Sequence, residues 1–323
     1  MRTSRRQFAA CLGASALAGV SKLSLAQDKN LRVLVGFAAG GAADTVARAV
    51  GEGLRDAGYT VVIDNKPGAS GRLATEMLIG APADGTTLLM TPLGNLTLYP
   101  HVFKSLRYDP LAQLAGVASV CNMSFALAVG AGSSAATLQD FIAQARKDPA
   151  KAGYGTPGMG TAMHFIGELL GQHAKVPLTH IPYKGGSASV TDAIGGAIPA
   201  VITTLPNLLP MHRQGKLRIL AVSDPEPSPA LPGVPTFKSA GFADLVVTET
   251  FAFFARSGTP APVIAQLNQA INSAVESPRV AGVLQKVEYQ LKTMSPDALD
   301  RQVRAQHARW AAVVKASGYK PEE

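Results

Sequence analysis

LRVLVGFAAGGAADTVARAV, residues 31–50, is the stretch that most directly indicates the fold. It opens with an apolar, strand-forming run from Leu31 to Phe37 and turns on four small residues at positions 38–41. Apolar residues then recur at helical spacing, with Val46 and Val50 on one face. This pattern predicts a strand, a tight loop and a helix.

The loop of this unit has almost no side chains, so a ligand could lie directly against its backbone. The start of the next helix presents unpaired N–H groups and the positive end of the helix dipole, which favour small anions. Two interpretations stay open: a loop that holds a carboxylate, or a loop with a purely structural role. A dinucleotide is a weaker alternative. Gly36, Gly40 and Gly41 do not give the G-x-G-x-x-G spacing, and Asp64 is only the nearest candidate for an acidic ribose-binding residue.

The first 26 residues have the composition of an export signal. Arg2, Arg5 and Arg6 precede a small, apolar run at residues 8–20, and Ser24-Leu25-Ala26 resembles a small-x-small cleavage site. The run is too short to span a membrane as a helix. The arginine pair resembles a twin-arginine signal, and a Sec signal that carries two arginines is the alternative. We therefore expect a periplasmic protein that is cleaved near Ala26.

Composition argues against nucleic-acid binding. Removal of the signal would take away four basic residues and no acidic ones, so the net charge would fall from +8 to about +4. A charge this small over such a length, without a dense Lys/Arg run, does not indicate nucleic acid. Cys121 would be the only cysteine left, so an intramolecular disulfide is impossible. The 47% apolar content can supply a core, and the length suggests two domains.

A second strand–loop–helix unit follows in the middle of the chain. A short strand at 151–154 leads into Gly155-Thr156-Pro157-Gly158-Met159-Gly160-Thr161, and a helix at 162–173 comes next. Alternating strands and helices predict a largely parallel sheet with right-handed crossovers. Residues 92–95 predict a further loop of small, polar residues. Residues 115–129 predict a strand that is broken around Asn122, and the C-terminal helices have no assigned position.

No catalytic motif is found: the chain has no G-x-S-x-G elbow, no HExxH, no Walker loop and no C-x-x-C pair. His164 and Glu168 stand one helical turn apart, but His173 projects from a different face, so a helix surface is favoured over a metal site. His180 is interpreted as a packed strand residue, and Asp44 as compensation for the helix dipole. We therefore predict no catalytic residue, no metal and no cofactor, and we do not expect an enzyme.

Several stretches together resemble the Bug-type solute receptors, the extracytoplasmic binding subunits of tripartite tricarboxylate transporters. They include VGFAAGGAADTVAR (35–48), YGTPGMGTAMHFIGELL (154–170), IPYKGG (181–186) and GKLRILAV (215–222). The resemblance implies an α/β, two-domain, periplasmic-binding-protein-like (Venus flytrap) fold with mainly parallel sheets. Residues 27–125 and 250–323 would form the first domain and residues 126–249 the second, with the ligand in the cleft between them.

The resemblance also implies which residues bind a ligand carboxylate, partly through ordered waters. The residues expected at the ligand are Phe37, Ala39, Gly40 and Gly41 from the first domain, Asn95 from a third polar loop, Thr156, Gly160, Thr161 and His164 from the second domain, and Thr203 and Thr204 at a strand end of the second domain.

The chain departs from the family pattern in the first glycine loop and at Thr203. Ala39 stands where the family commonly has proline, and Ala42-Ala43 replaces a glycine and a hydroxyl residue, so one possible donor is lost. Thr203 cannot pair with an ammonium group, which favours a plain carboxylic acid or a neutral-tailed aromatic acid over an amino acid.

The implied function is capture of a small carboxylate-bearing ligand by a monomer. The partner would be the membrane permease subunits of a tripartite tricarboxylate transporter or, as an alternative, a sensor protein. An exported α/β enzyme that acts on a small acid is a further alternative, and turnover of a bound acid would establish it.

Overall fold

The computed structural model describes residues 29–321, and the predicted export signal at 1–26 lies outside them. Ten strands are present in this part: β1 (Asn30–Val35), β2 (Thr60–Asn65), β3 (Thr87–Pro92), β4 (Leu114–Gly130), β5 (Gly153–Thr156), β6 (Thr179–Pro182), β7 (Ala200–Thr204), β8 (Leu217–Val222), β9 (Thr248–Arg256) and β10 (Gln290–Leu291). No helix among residues 29–321 is long and apolar enough to cross a membrane.

Twelve α-helices accompany these strands: α1 (Ala42–Asp56), α2 (Arg72–Ile79), α3 (Gly94–Thr97), α4 (Tyr99–Val102), α5 (Pro110–Gln113), α6 (Leu138–Lys147), α7 (Ala162–Ala174), α8 (Gly186–Ile194), α9 (Leu205–Arg213), α10 (Ala261–Glu276), α11 (Pro278–Gln285) and α12 (Pro296–Ser317). The predicted strand–loop–helix unit at the start of the chain is therefore β1, a loop and α1. The apolar face of α1 is buried, and Val46, Val50 and Leu54 are fully inaccessible to solvent.

The strands form one mixed sheet in the order β2-β1-β3-β9-β4-β7-β5-β6, and β8 and β10 also pair with β4. Pairing is parallel between β1 and its neighbours β2 and β3, and between β5 and its neighbours β6 and β7. These are the strands around the two predicted glycine loops, so the parallel prediction holds where those loops lie. Pairing is antiparallel at the centre, where β9 and β4 run side by side.

Strand β4 joins the two parts of the sheet. It pairs with β9 from Leu114 to Ser124, and then with β7 and β8 from Phe125 onward. The predicted break around Asn122 is wrong, because β4 runs without interruption from Leu114 to Gly130 and Asn122 still pairs with β9. We call β1, β2, β3, β9 and the start of β4 the first half-sheet, and β5 to β8 with the end of β4 the second half-sheet.

Residues 92–95 do not form the predicted loop, since Pro92 ends β3 and helix α3 begins at Gly94. The first N–H of this helix, on Gly94, donates to both carboxylate oxygens of Glu249 at 3.2 Å. This acceptor is 155 residues away in sequence. Local sequence patterns therefore give no sign of the helix.

The C-terminal helix α12, which had no assigned position, packs on both half-sheets. Leu299 and Val303 are buried in a cluster with residues of β1 and β3. Near its other end, Val314 belongs to the core of the second half-sheet, and the Trp310 ring packs edge-on against Phe165 of α7 with centroids 5.7 Å apart. The helix therefore connects the two parts of the molecule.

This packing predicts that Trp310→Ala destabilises the protein by about 2 kcal/mol, because the half-buried ring loses its contact with Phe165. Urea unfolding of the wild type and the variant measures the difference. Arg309→Ala, which removes an exposed neighbour on the same helix, is the matched control and should change stability by less than about 0.5 kcal/mol. An equal effect of the two substitutions would contradict the assigned packing.

Candidate functional site

A narrow cavity of about 40 Å³ lies where the two half-sheets meet. Strands β4 and β9 form its floor, and the starts of several helices surround it. Its lining consists of Phe37, Gly41, Ala42, Ala43, Pro92, Met123, Phe125, Pro157, Met163, Gly186, Thr203, Thr204, Asn207, Glu249 and Phe251. This space is far smaller than a cavity that holds a drug-sized molecule, so a ligand there must be small or must displace part of the lining.

The first polar feature of the cavity is the N-terminus of α1. Gly41 is the N-cap residue, and no side chain caps the helix. Gly40, in the left-handed conformation with φ of 77°, turns the loop so that its N–H donates to Asp44 Oδ2 at 2.9 Å. Arg48 Nε also donates to that oxygen, at 2.8 Å. Burial alone would raise the pKa of Asp44, but these hydrogen bonds hold the pKa below its ordinary value.

Two further helices begin at the cavity without a side-chain cap. Gly185 is the N-cap residue of α8, and Thr204 is the N-cap residue of α9. Threonine at this position usually caps its own helix, but the Thr204 hydroxyl makes no such bond. Three helix N-termini without a side-chain cap, each with the partial positive charge of a helix start, therefore border one cavity.

The hydroxyls of Thr203 and Thr204 add two unpartnered polar groups. Both side chains are buried, and neither Oγ1 atom has a hydrogen-bond partner among the described residues. Gly186 lets α8 approach them: a Cβ atom there would lie 2.6 Å from Thr203 Oγ1 and 2.5 Å from Asn207 Nδ2. A buried hydroxyl without a partner costs free energy, so these groups favour a polar ligand atom in the cavity.

The second predicted glycine loop, after β5, uses its polar groups internally. Thr161 caps α7, because its Oγ1 accepts from His164 N–H at 3.3 Å and donates to Gly158 O at 2.8 Å. Thr156 Oγ1 donates to the same carbonyl at 3.0 Å. His164 Nδ1 accepts from Gly160 N–H at 3.1 Å. The start of α7 is therefore satisfied without a ligand, unlike the starts of α1, α8 and α9.

A pair of histidines packs against this loop. The rings of His164 and His180 stack with centroids 3.8 Å apart, and His180 Nε2 lies 2.7 Å from Thr156 Oγ1. Burial, together with the neighbouring His164, lowers the pKa of His180 to about 3. His180 is thus neutral at physiological pH and packs in the strand as predicted.

The structure brings four of the expected ligand residues to the cavity: Phe37, Gly41, Thr203 and Thr204. The other expected residues do not line the cavity. Ala39 and Gly40 are exposed on the loop after β1, and Asn95 is buried, where its side chain donates a long hydrogen bond to Ser70 O. The remaining expected residues belong to the hydrogen-bond network after β5: Thr156, Gly160, Thr161 and His164. Their role in ligand binding stays a prediction.

Direct hydrogen bonds join the loops of the two half-sheets beside the cavity. Ala38 N–H donates to Lys184 O at 3.2 Å, and Ser187 Oγ donates to Gly40 O at 2.9 Å. The loop after β1 therefore touches the loop that precedes α8, so the structure has a closed arrangement at this point.

The family model for "Tripartite tricarboxylate transporter family receptor" matches residues 46–319. The chain belongs to this receptor family. The resemblance to Bug-type receptors is confirmed, and a Cupriavidus necator protein described as "UPF0065 protein in gbd 5'region" is 33% identical over 300 residues, covering 93% of this chain and 89% of that protein.

Solved structures agree with this family assignment. The periplasmic binding protein BugD has a TM-score of 0.87 and 26% identity, covering 91% of this receptor and 99% of that chain. The Rhodopseudomonas palustris protein Rpa4515, described with adipate, has a TM-score of 0.85 and 29% identity, covering 91% and 98%. The predicted α/β, two-domain, periplasmic-binding-protein-like fold is confirmed by this likeness.

Sequence reasoning missed several cavity residues of this receptor, above all Glu249, Asn207 and Gly186. Glu249 was not among the residues expected at the ligand. One acidic residue inside the apolar run 245–255 was the signal that could have identified it. The IPYKGG stretch contains Gly186 but was used only as a family motif.

The buried histidine pair predicts a pH dependence of stability. The pKa of His180 is lower in the folded protein than in the unfolded chain, so the unfolded chain binds the extra proton. The contribution of neutral His180 to the free energy of unfolding is fully present above about pH 6.5. It is lost as the pH falls toward 3, by up to about 1.4 kcal/mol per pH unit.

Urea unfolding at several pH values between 7 and 4 measures this dependence. We expect a shallower fall of the unfolding free energy in His180→Asn than in the wild type. His212→Asn, at a histidine that does not belong to this pair, is the control and should retain the wild-type slope. Parallel curves for the wild type and His180→Asn would contradict the assignment.

Proposed function

We propose that this receptor binds the carboxylate of a small organic acid in the cavity between the two half-sheets. The single observation that supports this is the convergence of three uncapped helix N-termini, of α1, α8 and α9, on two unpartnered hydroxyls, those of Thr203 and Thr204. A carboxylate oxygen accepts several hydrogen bonds, and charge-assisted bonds are stronger than neutral ones. The adipate described with the relative Rpa4515 is also a carboxylate, which agrees with this choice.

Binding would favour the closed arrangement of the protein. The donors on α1 belong to the first half-sheet, whereas those on α8 and α9 belong to the second. A carboxylate between them binds the closed state better than the open one, so it shifts the population toward closure. The hydrogen bonds from Ala38 to Lys184 and from Ser187 to Gly40 also stabilise the closed state.

The moving parts would be two domains, residues 27–125 with 250–323, and residues 126–249. The proposal is supported by β4, which exchanges β9 for β7 and β8 between Ser124 and Phe125. Strand β4 crosses from one part to the other, and the chain returns to the first half-sheet at the start of β9, so small dihedral changes at these two places would open the cavity.

The protein would act in the periplasm after removal of residues 1–26. We assign the permease subunits of a tripartite tricarboxylate transporter as its partner rather than a sensor protein, because the matching family model is that of transporter receptors. The closed form would be the species that these subunits recognise.

A thermal-shift screen tests the proposal. The mature protein, unfolded and refolded to remove carried ligand, is heated with di- and tricarboxylates, aromatic acids and amino acids. A ligand at a hundredfold excess over its dissociation constant adds about 2.7 kcal/mol, which raises the melting temperature by several degrees. The primary amides of the same acids are the matched controls and should give no shift. No shift with any acid would contradict the proposal.

Thr203→Val separates a binding role from a structural one. Valine has the same shape without the hydroxyl, so the free protein should be as stable as the wild type or about 1 kcal/mol more stable. Affinity for the acid found in the screen should fall about tenfold, because a hydrogen bond to a charged group is lost. Calorimetric titration measures the affinity, and urea unfolding measures the stability.

Thr97→Val is the control for this substitution. The Thr97 hydroxyl is also buried, but it donates to Leu93 O at 3.0 Å and does not line the cavity. The control should lose about 1 kcal/mol of stability and keep its affinity. The opposite result, in which Thr203→Val is less stable and its affinity is unchanged, would show that the Thr203 hydroxyl does not bind the ligand.

A further inference from the structure

Away from its three helix starts, the cavity is lined mainly by large apolar side chains. Strand β4 contributes Met123 and Phe125 to the floor, and β9 contributes Phe251. Met163 of α7 and Phe37 of the loop after β1 also belong to this apolar part of the lining. All five side chains are buried. A ligand whose carboxylate lies at the helix starts therefore places its other atoms against aromatic rings and thioethers.

The apolar part of the lining comes from the cores of both half-sheets. Phe37, Met123 and Phe251 belong to the hydrophobic cluster of the first half-sheet, and Phe125 and Met163 belong to that of the second. An apolar tail between them would be removed from water by both half-sheets at once. Burial of apolar surface is favourable, so such a tail would favour the closed arrangement as the carboxylate does.

The lining offers no positive charge to a second carboxylate. Among residues 29–321, no lysine, arginine or histidine lines the cavity. The ionisable side chain in the lining is Glu249, an acid whose carboxylate accepts from Gly94 and Thr250 N–H groups. A carboxylate that is buried without an opposite charge or a donor loses its hydration without compensation.

The polar donors of the cavity are concentrated in one region. The side chains of Asn207 and Thr203 lie close together, because a Cβ atom on Gly186 would be 2.5 Å from Asn207 Nδ2 and 2.6 Å from Thr203 Oγ1. Thr204 follows Thr203 and begins α9. One carboxylate in this region would use these donors, and a second one at the other end of the ligand would meet the apolar floor.

Two methionines determine how long a tail the cavity admits. The free space of about 40 Å³ is small, but Met123 and Met163 both line it. A methionine side chain is unbranched and flexible, so it adapts its shape to a neighbour more easily than a branched or aromatic residue does. A short apolar tail would therefore fit by displacing a thioether, whereas a long tail would require larger rearrangement.

We propose that the ligand of this receptor is a small monocarboxylic acid with an apolar tail, and that the cavity disfavours the dicarboxylate of the same length. The inference rests on the proposed function, because it takes the ligand carboxylate to lie at the helix starts. It narrows the expectation of a plain acid to one without a second charge. The relative Rpa4515 is described with adipate, a dicarboxylate, so the inference separates this receptor from that protein by the charge of the ligand.

Matched ligand pairs in which a terminal methyl group replaces a carboxylate test this inference. The pairs are butanoate with succinate, pentanoate with glutarate, hexanoate with adipate, and 4-methylbenzoate with terephthalate. Calorimetric titration of the refolded mature protein at pH 7.5 measures both members of each pair. We expect the monocarboxylate of at least one pair to bind about ten times more tightly than its dicarboxylate, and no pair to show the reverse order.

The variant Met163→Ala tests the position of the tail. It removes the thioether and leaves room for more carbon atoms, so the ratio of hexanoate affinity to butanoate affinity should rise about tenfold over the wild type. Met77→Ala is the matched control: Met77 is a partly buried methionine that packs against a cluster of the first half-sheet and does not line the cavity. Its ratio should equal that of the wild type.

Two results would overturn the inference and leave carboxylate binding in place. Dicarboxylates that bind as tightly as their monocarboxylates, or more tightly, would reject the preference for a single charge, and the wild-type titrations decide this without any variant. An unchanged chain-length ratio in folded Met163→Ala would reject the assigned position of the tail. Absence of binding by every mono- and dicarboxylate would instead reject the proposed function and this inference together.

Discussion

Buried hydrogen-bonding groups without partners are the constraint on which the candidate site depends. Most buried polar groups in a folded chain are satisfied, since each exception costs free energy. Here the hydroxyls of Thr203 and Thr204 are exceptions, and the starts of three helices without a side-chain cap border the same cavity. The fold tolerates this cost because apolar packing elsewhere is extensive, and the cost becomes binding free energy when a ligand supplies the missing acceptor.

The central strands make this concentration of groups possible. Strand β4 belongs to both half-sheets, and its antiparallel neighbour β9 lies beside it at the cavity floor. Because β4 is continuous, groups from distant parts of the sequence meet above it: the start of α1 from one side and the starts of α8 and α9 from the other. Helix α12 then connects the outer surfaces through Val303 on one side and Val314 on the other.

Local patterns predicted the parts of the fold that depend on local chemistry. The periodic apolar face of α1 and the helix start at residue 162 are properties of a few neighbouring residues, and both are present. Whether a helix start has a side-chain cap depends on the fold around it, so the sequence did not indicate that α8 and α9 begin uncapped at the cavity. Glu249 was missed for the same reason, because its partner Gly94 lies far away in the chain.

Two threonines at helix starts show why residue type alone could not identify the helices that begin without a side-chain cap. Thr161 and Thr204 both stand at a helix start, where threonine normally accepts from the backbone. Thr161 does so, and its loop also forms bonds with Thr156 and Gly158. Thr204 does not, and Pro206 in the first turn of its helix removes one of the N–H groups. The α7 loop is held by its own hydrogen bonds, whereas the start of α9 has no side-chain cap. Two helix starts of the same half-sheet thus differ in their capping although both have threonine at the N-cap position, and this difference is a property of their surroundings and not of the residue type.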